Sequence, residues 1–294
     1  MQIAIATCSK LPDWEVDDVP FHEALRERGL DVPHIAWDDS NTDWSTFDAV
    51  LIRTTWDYME RQEEFLQWAQ GVEQVSRLFN PASIVKWNTH KSYLRDLEAK
   101  GVPIAPTHWL DQGATVDVKE VMTQRKWTRG FLKPAIGATA RETLRFETDE
   151  EGLHLAQAHV NRMLANEDML LQPYLTRVEA DGEFSAIFID GAISHCVRKI
   201  PVEGDYRVQD DFGAKDERFE FSSEQLAIAK HVVEVVNQDL LYARTDFLYD
   251  NDGRFVLTEF EAVEPSLFFR HNPEAADRLA EALCTRVQRA LLAS

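Results

Sequence analysis

No apolar run in this chain approaches the ~18 residues that a transmembrane helix needs, so no segment reads as a membrane span. Cysteine is just as scarce. Cys8, Cys196 and Cys284 are odd in number and scattered, which excludes a paired-cysteine zinc site and fits free thiols in a reducing, cytoplasmic setting. The start, Met1 to Lys10, lacks the basic segment and long apolar stretch of a signal peptide and reads as a first β-strand. Positive charge is the third deficit. Lys and Arg total 31 against 51 Asp and Glu, a formal net charge of −20. Nucleic-acid binding depends on neutralising phosphates, so a nucleic-acid partner is excluded, and an anionic membrane surface is equally unsuited.

What is present can fill a core: 44% of the 294 residues are hydrophobic and eight are tryptophan. That length suits one large domain or two to three small ones. Basic residues gather at Lys133 to Arg145 and Arg198 to Arg207, where an anionic small molecule could use them.

Read in order, Ile3 to Thr7, Asp31 to Trp37 and Ala49 to Arg53 predict strands. Val19 to Arg28 and Arg61 to Val75 predict helices, the first ended by Gly29. This alternation implies a parallel sheet whose functional loops follow the C-terminal strand ends. Arg53-Thr-Thr-Trp-Asp-Tyr58 is such a loop, or simply a capped helix start. Phe79-Asn-Pro81 breaks the pattern and marks a boundary. A helix over Thr89 to Lys100 would carry Lys91 in its first turn, unfavourable to the helix dipole unless an external anion recruits it. Further strands are expected at Ile104 to Leu110, Gly130 to Lys133 and Met169 to Gln172, and helices at Val118 to Arg125 and Leu153 to Leu164. Pro134 to Arg141, small residues with one glycine beside basic side chains, suits a loop across phosphates but lacks a strict P-loop spacing. A hairpin turning at Asp190-Gly191, a charged flexible stretch Pro201 to Glu220, and helices Glu224 to Asn237 and Pro273 to Leu292 complete the chain.

The most informative segment is Asp246 to Glu261. Asp252-Gly253 predicts a two-residue hairpin turn, which sets Tyr249 near Phe255 and Asp246 almost opposite Glu259. Side-chain alternation puts Glu261 on the same face. Like charges so placed repel unless a cation neutralises them, and hard oxygen donors suit magnesium. The alternative is that one or two of these carboxylates simply face water.

Together Phe131-Leu-Lys-Pro134, Leu171-Gln-Pro-Tyr-Leu175, Asp181-Gly-Glu183, Arg198-Lys-Ile-Pro201, and Asp246 followed by Glu259 and Glu261 resemble the ATP-grasp superfamily, in its glutathione synthetase-like branch. The strings Arg53 to Tyr58, Lys86-Trp-Asn-Thr89 and Glu264-Pro-Ser-Leu267 are similar to a smaller set, the cycloserine-biosynthesis cyclo-ligase type. The resemblance implies an α/β fold, α+β in its C-terminal lobe. Residues 1–85 would form a substrate-side domain, 86–170 a central subdomain with a phosphate lid, and 171–294 a C-terminal subdomain with the metal site. Lys91 and Lys133 would hold ATP phosphates, Gly137 to Arg141 would cover them, and Gln172, Pro173, Tyr174 and Leu175 would bind adenine, with Glu183 on the ribose. Asp246, Glu259 and Glu261 would bind Mg2+, or Mn2+ in its place. Arg198, Lys199 and Arg207 would act on the transferred phosphate, and Arg53, Thr55, Asp57 and Ser266 on the substrate. Related enzymes usually carry asparagine at the position of Glu261. The implied reaction is ADP-forming carboxylate–amine ligation through an acylphosphate on a small amino-acid-like substrate, ring-closing or intermolecular. A small-molecule kinase or a non-catalytic nucleotide-binding protein are the alternatives. Dimers are common in the family, so a homodimer is the implied assembly. Glu264 reads as a turn cap and His195 as a structural histidine.

Overall fold

The computed structural model describes residues 1–11, 16–137 and 139–293. In chain order its elements begin with β1 (Ile3–Thr7), α1 (Val19–Glu27), β2 (His34–Ala36), β3 (Ala49–Thr54), α2 (Gln62–Val75), β4 (Arg77–Phe79), α3 (Ala82–Asn88) and α4 (Tyr93–Ala99). Next come β5 (His108–Leu110), α5 (Val118–Arg125), β6 (Arg129–Pro134), β7 (Leu144–Glu147), α6 (Glu150–Met163) and β8 (Met169–Pro173). The last third holds α7 (Val178–Asp181), β9 (Glu183–Ile189), β10 (Ala192–Ile200), β11 (Lys215–Phe219), α8 (Ser223–Val236), β12 (Tyr242–Tyr249), β13 (Phe255–Glu261) and α9 (Pro273–Ala293).

Three sheets result, ordered β2-β1-β3-β4, β5-β8-β6-β7 and β11-β10-β9-β12-β13. The first is parallel throughout. Its central strands β1 and β3 are buried along their whole length, as continuous apolar runs covered on both faces should be. The other two sheets are antiparallel. One core packs α1 and α9 with β1, β3, β9 and Tyr242, and so joins the parallel sheet to the five-stranded one. A second joins α4 and α8 to the opposite face of the five-stranded sheet, and a third encloses α5 and α6 with the four-stranded antiparallel sheet. Tyr242 Oη ties the units further, lying 2.7 Å from the carbonyl oxygens of both Ile52 and Val263, which share its one hydrogen.

Several expectations need correction. The helix expected over Thr89 to Lys100 is shorter, because Lys91 N donates to Ala135 O at 2.8 Å and holds that residue ahead of α4. The hairpin loop is longer than two residues. Asp250 N bonds Arg254 O at 2.8 Å, Gly253 N bonds Asp250 O, and Gly253 takes φ +83°, a three-residue loop with glycine in the left-handed region. The short strands β4, β7 and β11 and the one-turn α7 were not anticipated.

Candidate active site

The three carboxylates meet because two irregularities in one hairpin cancel. The three-residue loop pairs Tyr249 with Phe255 and Phe247 with Leu257; carried on unchanged, that register would set Asp246 opposite Thr258. Instead a bulge follows, and Asp246 pairs with Glu259 and Arg244 with Glu261. Thr258 is the extra residue, its hydroxyl donating to Asp246 O at 3.0 Å. A bulge re-aims side chains beside a site. Here it leaves one oxygen from each of Asp246, Glu259 and Glu261 within 4.8 Å of one another.

Cations surround this patch. Lys91 Nζ lies 2.7 Å from Glu259 Oε1. Arg244 Nη2 lies 2.6 Å from Glu261 Oε1 and 3.0 Å from Asp246 Oδ2. Lys199 Nζ is 3.5 Å from Asp246 and also pairs with Glu183. The ionisation states follow from burial set against these partners. Burial works to raise Asp246, but Arg244 and Lys199 bring it down to about 2. Glu259, likewise opposed by burial, is held below its ordinary value by Lys91 and Lys133. Burial pushes Glu261 up to about 8 against the pull of Arg244, and it drives Lys133 down to about 8. Three hard-oxygen donors at this spacing fit a divalent ion of the magnesium type. A bound ion would polarise phosphate oxygens as a Lewis acid.

Beside the patch opens a cleft enclosing about 910 Å³, its open mouth included, on the scale of small-molecule sites. Every residue expected to bind nucleotide lines it: Lys91, Lys133, Gly137, Gln172, Pro173, Tyr174, Leu175 and Glu183. Lys91 also donates to Gly137 O at 2.7 Å, anchoring the loop after β6. In that loop Ala138 lies outside the described residues, while Arg141 lines the cleft and pairs with Glu167 at 2.5 Å. Tyr206 was not anticipated. It comes from the charged stretch after β10, lines the cleft, bonds Thr143 Oγ1 at 2.8 Å and packs edge-on against Phe131.

The expected catalytic basic residues separate. Lys199 points at the carboxylates, but Arg198 faces the other side of β10 and donates to the carbonyls of Asp181 and Ala180, because neighbours on a strand face opposite ways. Arg207 lines the cleft with its guanidinium forked onto Asp205. On the substrate side, Arg53 is buried and bidentate to Asp18 at 2.9 and 2.8 Å through Nε and Nη2, while its buried Nη1 has no hydrogen-bond partner among the described residues. Asp57 is buried and accepts from Trp37 Nε1 at 2.8 Å. Ser266 offers its carbonyl to Arg244 at 3.0 Å, with its hydroxyl 3.4 Å from Asp17. Thr55 Oγ1 is buried with no partner among the described residues. Arg244 was missed in the sequence, although it stands two residues before Asp246 on the same strand face. His195 is buried with Nε2 3.2 Å from Phe268 O, a structural placement.

Residues 3–80 match a family model described as the N-terminal domain of D-cycloserine synthetase DcsG. Residues 113–252 match that of the prokaryotic glutathione synthetase ATP-grasp domain. The cycloserine biosynthesis protein DcsG of Streptomyces lavendulae is 33% identical over 300 residues, covering 97% of this chain and 99% of the relative. The chain belongs to the DcsG family of ATP-grasp enzymes. The crystal structure of D-cycloserine synthetase DcsG superposes with a TM-score of 0.87 at 31% identity, covering 98% of this chain and 100% of that one. D-alanine–D-alanine ligase from Bacillus anthracis, complexed with ATP, shares the fold with a TM-score of 0.71 at 14% identity, covering 99% and 97%. This DcsG-family chain is therefore an ATP-binding ligase of the ADP-forming, C–N bond-making type. Its family works with ATP and a divalent metal. No helix among the described residues is long and apolar enough to cross a membrane.

Proposed function

We propose that this enzyme uses ATP and Mg2+ to activate the carboxylate of a small amino-acid-like substrate as an acylphosphate, and closes it onto an amine of the same molecule. One observation carries the reading: the Asp246, Glu259 and Glu261 patch sits between Lys91 and Lys199, and Glu259 opens directly onto the cleft that holds Lys133.

In this reading, Gln172 to Leu175 hold adenine and Glu183 the ribose, while Lys91 and Lys133 hold the phosphates as compact point charges. Asp246, Glu259 and Glu261 hold Mg2+, or Mn2+ in its place. An amine cannot displace oxide from a carboxylate; phosphorylation supplies a leaving group. The nitrogen then forms the new bond to carbon as the bond to phosphate oxygen breaks. An acylphosphate hydrolyses readily, so water must be kept out. The loop after β6 and the stretch carrying Tyr206 and Arg207, joined across the cleft by Thr143, are placed to do so. Lys199 steadies charge beside Asp246, and Thr55 and Ser266 face the substrate. Residues 1–85, 86–170 and 171–294 serve as substrate-side, lid-bearing and metal-bearing units, acting on small molecules, with a homodimer as the assembly.

Incubation with ATP, Mg2+ and candidate amino acids, followed by mass spectrometry, tests this. A product lighter than the substrate by one water, with one ADP per turnover, is expected. A product heavier by a phosphoryl group would make the enzyme a kinase instead.

A further inference from the structure

Part of the cleft wall is apolar. Phe131, Tyr174, Val178, Val208 and Leu248 all line it, and these side chains pack together as one cluster. Gln172 brings an amide into that stretch. It is 5% exposed, lines the cleft and stands opposite Phe131 across the β6–β8 pair. Its neighbour on the other side is Thr107, because the β5–β8 register, continued one residue beyond His108 and Leu171, sets the two opposite each other.

An amide can present either its oxygen or its nitrogen, and its hydrogen-bond partners settle which. Thr107 settles it here. Its hydroxyl has one hydrogen, and that hydrogen goes to Ala105 O, 2.7 Å away, an atom that only accepts. Toward Gln172 the same hydroxyl must therefore accept, and Gln172 Nε2 donates to it at 2.8 Å. Thr107 does not line the cleft. The amide nitrogen is thus turned out of the cleft. On the other side of the same carbon, Oε1 takes no hydrogen bond from the described residues and is not sealed from solvent. An amide oxygen in an apolar wall costs free energy until a donor reaches it. Adenine offers that donor in its 6-amino group, whereas guanine carries an acceptor oxygen at the same position, as does hypoxanthine.

We propose that Thr107 is a positioning residue for base selection: it locks the Gln172 amide with its oxygen toward the cleft, so that the enzyme takes adenine nucleotides and rejects those with a 6-oxo base. This inference rests on the placing of adenine at Gln172 to Leu175 above. It makes a residue outside the cleft decide which nucleotide enters.

Calorimetric titration of the whole enzyme, in the presence of Mg2+, with ADP or IDP tests it without the amino-acid substrate. IDP differs from ADP at the base alone, where oxygen replaces the 6-amino group and N1 gains a hydrogen. The parent should bind ADP roughly 10- to 100-fold more tightly, the range expected when a buried polar group loses its partner. Thr107→Val keeps the shape but removes the hydroxyl, which frees the amide to turn over. The ratio should then collapse to about threefold or less, chiefly through tighter binding of IDP. Thr107→Ser keeps both hydrogen bonds and should keep the ratio. Should Thr107→Val fail to fold, judged by its melting temperature, Thr107→Ala decides in its place. Equal affinities in the parent overturn the role of Thr107. So does a ratio as large as the parent's in the variant without the hydroxyl, even where both affinities fall together. Gln172→Leu separates this outcome from the site itself: unchanged ADP affinity there would mean that the base does not lie at Gln172, and the adenine reading would fall as well.

Discussion

Arg244 and Glu261 face each other across the β12–β13 pair, with Nη2 2.6 Å from Oε1. The same guanidinium holds Asp246 and the Ser266 carbonyl. The glutamate that replaces the asparagine expected of related enzymes is thereby balanced by a cation on the neighbouring strand. Arg244 and Asp246 are buried, and removing the guanidinium strands the Asp246 charge, typically at a cost of about 3–5 kcal/mol. Arg244→Met should therefore destabilise the protein by roughly that amount in chemical denaturation. Adding Glu261→Gln to it should restore part of the loss, because the two changes are coupled. Strict additivity would remove the compensation argument.

Glu259→Gln keeps the shape of the side chain but removes its charge from the patch and from Lys91. ADP release should fall to background while circular dichroism and melting temperature stay near the parent values. Mn2+ binding, read by electron paramagnetic resonance, should weaken by about tenfold or more. Parent-like ADP release would show that the patch holds no essential ion.

Lys133 is placed by β6 inside the cleft, and burial drives it down to about 8 against the pull of Glu259. Much of its charge is therefore present at neutral pH, and a phosphate would strengthen it. Lys133→Ala should weaken ATP binding by about tenfold or more in calorimetry. Unchanged affinity would take Lys133 out of the phosphate site.

His22 lies against His34 with the rings tilted and Nδ1 3.1 Å from its Nε2, and burial pushes His22 down to about 3. Between that value and the ordinary 6.5, the unfolded chain binds a proton that the folded one rejects, so stability rises with pH across the window and is lost as pH falls. The loss from this site amounts to roughly 3–5 kcal/mol at the acid end. Denaturation midpoints measured from pH 7 to pH 3 should fall less steeply in His22→Gln. An unaltered slope would mean that other groups carry the acid sensitivity.

The parts legible in the sequence were those set by local chemistry. Asp190-Gly191 and Asp252-Gly253 announced their hairpins because positive φ is needed there. The eight nucleotide-side residues fell into one cleft because they sit on strands and loops with recognisable order. What escaped was decided at a distance. Strand β11, Lys-Asp-Glu-Arg-Phe, is a charged edge strand that, among the described residues, pairs only with β10; such composition protects an edge and reads as loop. Lys91 looked helical because the carbonyl of Ala135 that captures its backbone is remote in sequence. Arg198 and Lys199 were read together, although once β10 is a strand period-two alternation sends them to opposite faces. Arg244 needed the same rule applied to β12.

Thr258 carries a consequence for how such a ribbon can change over generations. Residues paired across the ribbon share a face, so the step at Thr258 is what puts Glu259 and Glu261, rather than Thr258 and Phe260, opposite Asp246 and Arg244. Glu259 and Glu261 stand two apart, as Arg244 and Asp246 do, so a single insertion between the members of either pair sends one of them to the other face, whereas a change of length at the tip leaves the pairing intact. Lineages descended from this enzyme should vary in length at the tip and keep those two spacings, however freely the individual side chains drift.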